Sequence, residues 1–203
     1  MSRVVIAFVL LFSFSGALSQ AANPSDKINA YYEYSDNKEY KKAAITALEI
    51  GEIYYKANLF DFSKKFFEFA INESERSGEI ELQAKSYYSA GLASFFYAEN
   101  ISDRDKKKEL FSDAKKKLQR AAAKYGDAGN KFTEENILAH YYGGICHYKL
   151  DEYKQAIKPL DLALKFAQKE KNSEVAIESS RLLAKIYGVL DEPSSAEYYQ
   201  SIF

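Results

Sequence analysis

Two histidines and one cysteine leave this 203-residue chain few side chains suited to metal or nucleophilic chemistry. They gather in one place, at His140, Cys146 and His147. The two histidines stand seven apart and so share a helical face, with Cys146 turned off it by one residue's rotation. A zinc ion needs about three or four protein ligands, and no Asp or Glu lies between the histidines. No Ser/His/Asp or Cys/His pattern occurs, nor a glycine-rich phosphate loop, nor an HExxH motif. The expectation is no catalytic residue, no metal site and no cofactor, with both histidines acting as packing residues. A single cysteine closes no internal disulfide. Cys146 reads as a small buried hydrophobe, with pairing to another chain as the alternative.

Charge supplies the next candidates. Between residues 101 and 124 there are nine Lys/Arg against four acidic residues. Such a stretch could meet an acidic partner or an anionic lipid surface. Leu110, Phe111, Ala114, Leu118 and Ala121 keep an apolar stripe running through it, which favours the solvated outer face of an amphipathic helix. The formal net charge of −1 gives no chain-wide attraction to nucleic acid or to membrane. Asn-x-Ser sequons at Asn72 and Asn100 both fall in expected turns and become candidate glycan sites in a eukaryotic source.

The elements that position these residues are helices. With 47% apolar and 28% charged residues the chain has an ordinary globular composition, apart from its 17 Tyr and 14 Phe. Past residue 24 apolar residues recur at helical spacing. Polar clusters punctuate them at Ser35-Asp36-Asn37, Asn72-Glu73-Ser74, Gly126 to Asn130, Lys171-Asn172-Ser173 and Asp191-Glu192-Pro193. A short helix is expected around Asp26–Tyr34.

The first residues read as an address. Arg3 precedes the apolar run Val4 to Phe12, and small residues follow at Ala17, Ser19 and Ala21, suiting cleavage near 19–21. The run is short of the ~20 residues that span a bilayer, which favours a cleaved signal over an uncleaved anchor. No cysteine stands near the cleavage site, so a lipoprotein anchor is excluded. The expectation is residues 1–20 as signal peptide, 21–37 as an extension, and a secreted or periplasmic mature chain without a stable membrane anchor.

The remainder repeats. Gly51, Gly91, Gly144 and Ala184 sit in four similar segments, at intervals of 40, 53 and 40 residues. Twelve residues after three of them comes a second small residue, Ser63, Ala156 or Ala196, opening another helix. In the second unit its counterpart is Ala114, which implies about 11 inserted residues, assigned to the polar stretch Asn100–Lys108. Glycine costs a helix ~1 kcal/mol against alanine, so its recurrence at one register points to close helix crossings.

This pattern resembles the tetratricopeptide repeat family, in a variant of 40-residue period. The resemblance rests on those four small residues, on aromatics three later at Tyr54 and Tyr187, and on the signature Ser63-x3-Phe67-x2-Ala70, echoed by Ala156-x3-Leu160-x2-Ala163. It implies an all-α, right-handed superhelical solenoid of antiparallel helix pairs, over 38–77, 80–125, 131–170 and 173–203. The first helices of units two and three, Ser86–Phe96 and Ile137–Tyr148, are apolar nearly all round, so they are either wholly buried or expose a sticky face. By the same resemblance the first helices line a concave groove. Its inward positions would be Leu48, Glu52 and Tyr55; Tyr88, Leu92 and Phe95; Tyr141, Ile145 and Tyr148; then Arg181 and Lys185. That groove is aromatic in the middle, acidic at Glu52 and basic at Arg181 and Lys185. The Lys/Asn set with which some relatives clamp a C-terminal carboxylate is missing, since Leu48 and Glu52 stand at its first positions. The expected partner is a protein or peptide; the alternative is a self-assembling or scaffold subunit of a cell-envelope complex, using the apolar C-terminal helix.

Overall fold

The computed structural model describes residues 24–130 and 133–202, and the expected signal peptide lies outside them. These residues form helices and turns, with no strand among them. In chain order the helices are α1 (Pro24–Asp36), α2 (Tyr40–Lys56), α3 (Phe60–Ser77), α4 (Ile80–Asn100), α5 (Arg104–Asp127), α6 (Glu134–Lys149), α7 (Tyr153–Lys169), α8 (Ser173–Val189) and α9 (Pro193–Gln200). Each helix packs on the next. The first helices α2, α4, α6 and α8 also touch one another in sequence, making one continuous inner layer. The fold is the expected all-α solenoid of antiparallel helix pairs.

The glycine register explains how the pairs close. A Cβ placed on Gly51 would lie 2.4 Å from the Phe67 ring, on Gly91 2.7 Å from Leu118 Cγ, and on Gly144 2.5 Å from Leu160 Cγ. In every case the facing residue stands four past the small residue at the matching register of the second helix, Ser63, Ala114 or Ala156, although Ala114 lies in the middle of α5 and does not open it. Phe67, Leu118 and Leu160 are buried, so none can retreat. α1 adds a helix at the N-terminal side, where buried Tyr31 stacks on Phe69 with ring centroids 5.4 Å apart.

Five of the turns between helices repeat one geometry. Lys38, Asn58, Asp151, Lys171 and Asp191 all take φ of 58–60°. After each, the next residue's N–H returns to the carbonyl five positions back, as in Leu59 to Tyr54 at 2.9 Å and Glu152 to His147 at 2.9 Å. That bond satisfies a carbonyl the helix end leaves orphaned, which offsets the ~1–2 kcal/mol cost of a left-handed residue. The starts of α5, α6 and α8 are capped by the side chains of Asp103, Thr133 and Asn172.

Two sequence expectations need correction. Asn72-Glu73-Ser74 is not a turn but lies inside α3. Ser74 Oγ donates back to the Ile71 carbonyl (2.9 Å), and buried Glu73 accepts from Ser35 Oγ (2.9 Å) and pairs with Arg76, so these polar residues are satisfied within a helix. The sequon at Asn72 is therefore helical, and that at Asn100 is the last residue of α4. Nor do the extra residues of the second unit form a loop at 100–108. They lengthen α4 to 21 residues and α5 to 24, leaving only 101–103 between them.

Candidate functional site

The inner layer holds the residues expected to face a ligand, and burial divides them. Leu48, Tyr88, Leu92 and Phe95 are buried, at 2–6% exposure, and belong to the packing behind the surface. Glu52, Tyr55, Tyr141, Ile145 and Tyr148 are half-buried, and Arg181 and Lys185 are exposed. The second set is what a ligand can touch. The division runs mainly between helices: the α4 positions Tyr88, Leu92 and Phe95 are all buried, the α6 positions Tyr141, Ile145 and Tyr148 are all half-buried, and only the α2 positions are split.

Aromatic rings link the layer across helices. The Tyr55 ring of α2 meets Phe96 of α4 at 5.9 Å between centroids, and Phe96 meets Tyr142 of α6 at 5.8 Å. Tyr142 also packs edge-on against Phe95 at 4.9 Å and its neighbour Tyr141 at 5.3 Å. Phe96 and Tyr142 are absent from the sequence-derived set, although their adjacency to Phe95 and Tyr141 was a usable signal. Burial raises the phenols of Tyr55 and Tyr141 well above the ordinary value, and that of Tyr142 to about 12. All three are neutral hydroxyls at physiological pH, able to donate as well as accept. The buried Tyr88 hydroxyl has no hydrogen-bond partner among the described residues.

Charges at the two ends are more balanced than expected. Burial raises the Glu52 carboxyl, against which Lys85 and Lys56 pull it down. At the other end Arg181 pairs with Glu178 at 2.7 Å, and Lys185 Nζ sits 5.1 Å over the Tyr148 ring. Glu174 and Glu178 lie close enough to Tyr141 to raise its phenol further. This end is thus a mixed-charge rim around tyrosines rather than a basic patch.

The chemistry singled out in the sequence resolves into packing. His147, only 7% exposed, has Nδ1 at 2.6 Å from Glu152 and Nε2 at 2.9 Å from the Gln119 amide nitrogen. Since an amide N–H only donates, Nε2 accepts and Nδ1 carries the proton. Glu152 is held below the ordinary carboxylate value against its desolvation by Lys115, at 2.8 Å, and His147. His140 packs without polar partners: its ring lies against Phe166 at 5.6 Å, and neither nitrogen has a hydrogen bond among the described residues. Cys146 is fully buried, and burial pushes its thiol far up. Among the described residues no group of three or more His, Cys, Asp and Glu could hold a metal ion.

The basic stretch lies on α5 and is partly spent on neighbouring helices. Lys117 reaches Glu68 of α3 (3.0 Å) and Asp113 (2.7 Å), and Lys106 Nζ donates to the Tyr97 hydroxyl (2.8 Å). No helix among the described residues is long and apolar enough to cross a membrane.

No family model matches the chain, and no curated protein does. Solved structures do. BtubC (BKLC) from P. vanneervenii is 14% identical, with a TM-score of 0.64 over 86% of this chain and 70% of that one. A candidate kinesin light chain from Podosopora anserina, with nearly identical TPR-like repeats, is 11% identical, with a TM-score of 0.58 over 89% of this chain and 94% of that one. A point variant of that kinesin light chain is 10% identical, with a TM-score of 0.59 over 87% of this chain and 91% of the variant. At these identities the likeness is one of fold.

Proposed function

Starting from a tetratricopeptide-like solenoid, we propose that this protein is a non-enzymatic interaction module that binds a peptide or helical segment along its first-helix face. The carrying observation is the row of half-buried tyrosines, Tyr55, Tyr141 and Tyr148, on a layer stiffened by Phe95, Phe96 and Tyr142. Tyrosine presents broad apolar area and a hydroxyl with few rotatable bonds, a combination suited to reversible recognition. Because these rings are wedged among neighbours, little ordering is left to lose on binding. The short charged rim of Glu178, Arg181 and Lys185 would set the direction in which a segment lies.

By this reading, and by the N-terminal address, the module works outside the cytoplasm as a secreted or periplasmic protein. The test is capture of partners from a secretome or envelope extract by the mature chain, compared with Tyr141→Ala/Tyr148→Ala. The variant is expected to lose about tenfold or more in capture, as interface tyrosines commonly do, with helical content unchanged. Equal capture by a folded variant overturns the assignment.

A second reading is self-assembly. At the α8–α9 end Tyr198 is 62% exposed and Val189 53%, an apolar surface that a second copy could cover.

A further inference from the structure

Second helices do not touch one another as first helices do, and two clefts open between them on the outer side. They differ in chemistry. The α3–α5 cleft, about 670 Å³, is walled by Glu68, Glu75 and Asp113 together with Lys116, Lys117 and Arg120. Lys117 pairs with two of those acids, and Arg120 donates to the Tyr87 hydroxyl at 3.1 Å. That cleft neutralises itself.

The α5–α7 cleft, about 590 Å³, does not. Its apolar surface comes from Leu118 and Ala122 of α5, Ala139 and Gly143 of α6, and Pro159 and Leu162 of α7. No acidic residue among the described residues lines it, in a chain whose acids slightly outnumber its bases. Its two cations, Lys154 and Lys158, are one helical turn apart on α7, and neither has an ion-pair partner among the described residues. Both histidines of the chain line this cleft. His147 has spent both ring nitrogens, whereas His140 has spent neither. A half-buried ring with an unused N–H and an unused lone pair is a polar group awaiting a partner.

Apolar walls cannot replace the hydration of a bare ion, and the unpaired lysines have no role for a purely apolar guest. Together they select a molecule with both characters. The volume lies in the ~300–1,000 Å³ range of small-molecule sites. We propose that the α5–α7 cleft binds a free, single-chain amphiphilic carboxylate. Its apolar body lies over Ala122, Ala139, Gly143 and Leu162, its carboxylate meets Lys154 and Lys158, and His140 supplies a further polar contact. The site shares no residue with the first-helix face, so it stands or falls independently of the function proposed there.

Two histidines give two ring Cε1–Hε1 signals, so imidazole NMR of the ¹³C-histidine-labelled chain reads this cleft directly. Dodecanoate, added at pH 7 below its micelle concentration, is expected to move the His140 signal saturably. It should also raise the apparent pKa of His140, because an adjacent carboxylate favours the imidazolium. Dodecanol, the same chain with a neutral head, should bind about tenfold more weakly, as should dodecanoate to Lys154→Gln/Lys158→Gln. Both lysines are exposed, so that variant is expected to keep its helical content. Ala123→Phe, at an exposed position of the cleft wall, fills the space without touching the core and should abolish the shift. The proposal is overturned if dodecanoate leaves both histidine signals in place, or if it binds the lysine variant and Ala123→Phe as well as it binds the parent. It is also overturned if only anionic vesicles or an acidic helical peptide move the His140 signal.

Discussion

His140 and His147 are neighbours on one helix and have opposite electrostatic fates. His147 is tied to Glu152 and Gln119, while burial alone pushes His140 down to about 4 from an ordinary value near 6.5. Unfolding lets His140 take up a proton at 6.5 that the folded chain refuses until about 4. Its contribution to stability is therefore complete above pH 6.5 and shrinks as pH falls from 6.5 towards 4. The loss runs at ~1.4 kcal/mol per pH unit, to ~3 kcal/mol in all. Asp113 and Glu152, both held below their ordinary values, act in the same direction but only nearer pH 4. Glu52, whose carboxyl is raised by burial, acts in the opposite direction. Melting temperature is thus expected to fall more steeply between pH 6.5 and 5 in the parent than in His140→Phe. An equal slope in both would show that another group is responsible. The spacing of the two histidines on one face was legible in the sequence. Their difference was not, because Gln119, Glu152 and Phe166 come from other helices or beyond the turn.

At the scale of helices, the adjacent glycines of α6 make a paired experiment. A methyl at Gly144 would press 2.5 Å from Leu160 Cγ, whereas one at Gly143 meets only Leu118 Cβ at an ordinary 3.8 Å. Gly144→Ala should destabilise the chain by ~1–3 kcal/mol through overpacking. Gly143→Ala should gain ~0.5–1 kcal/mol from helix propensity. Denaturant titration of both variants checks the signs, and two changes of the same sign would refute the register. This register was readable because close helix crossings constrain residue size, and size is written in the sequence. The misreadings share one cause. Asn72-Glu73-Ser74 looks like a turn only while Ser35, Arg76 and the Ile71 carbonyl, which satisfy it, are out of view. The left-handed corners at Lys38 and Lys171 carry no compositional mark, since the bond that stabilises them is made by backbone alone.

For the molecule as a whole, repetition fixes the architecture, and which surfaces remain uncovered decides its company. The helix-pair stack could be read from four small residues. The inner face could be read only in part, because inward-pointing and ligand-accessible are different properties: Tyr88 and Phe95 are the first, Tyr141 and Tyr148 both. If self-assembly through the α8–α9 end is correct, light scattering should show mass rising with concentration, and Tyr198→Ser/Val189→Ser should hold the chain monomeric. A parent chain that stays monomeric at high concentration removes that reading.

First helices in close backbone contact, and second helices bridged only by side chains such as Lys117 and Glu68, give the stack a tight edge and a slacker edge. Bending it is then like working a fan at its rivet: a small rotation at the inner edge becomes a larger change in gap at the outer one. A segment that draws α4, α6 and α8 together would widen the α5–α7 cleft, and a molecule lodged in that cleft would resist the closure. By reciprocity, whatever free energy one occupant lends or costs the other is returned in equal measure.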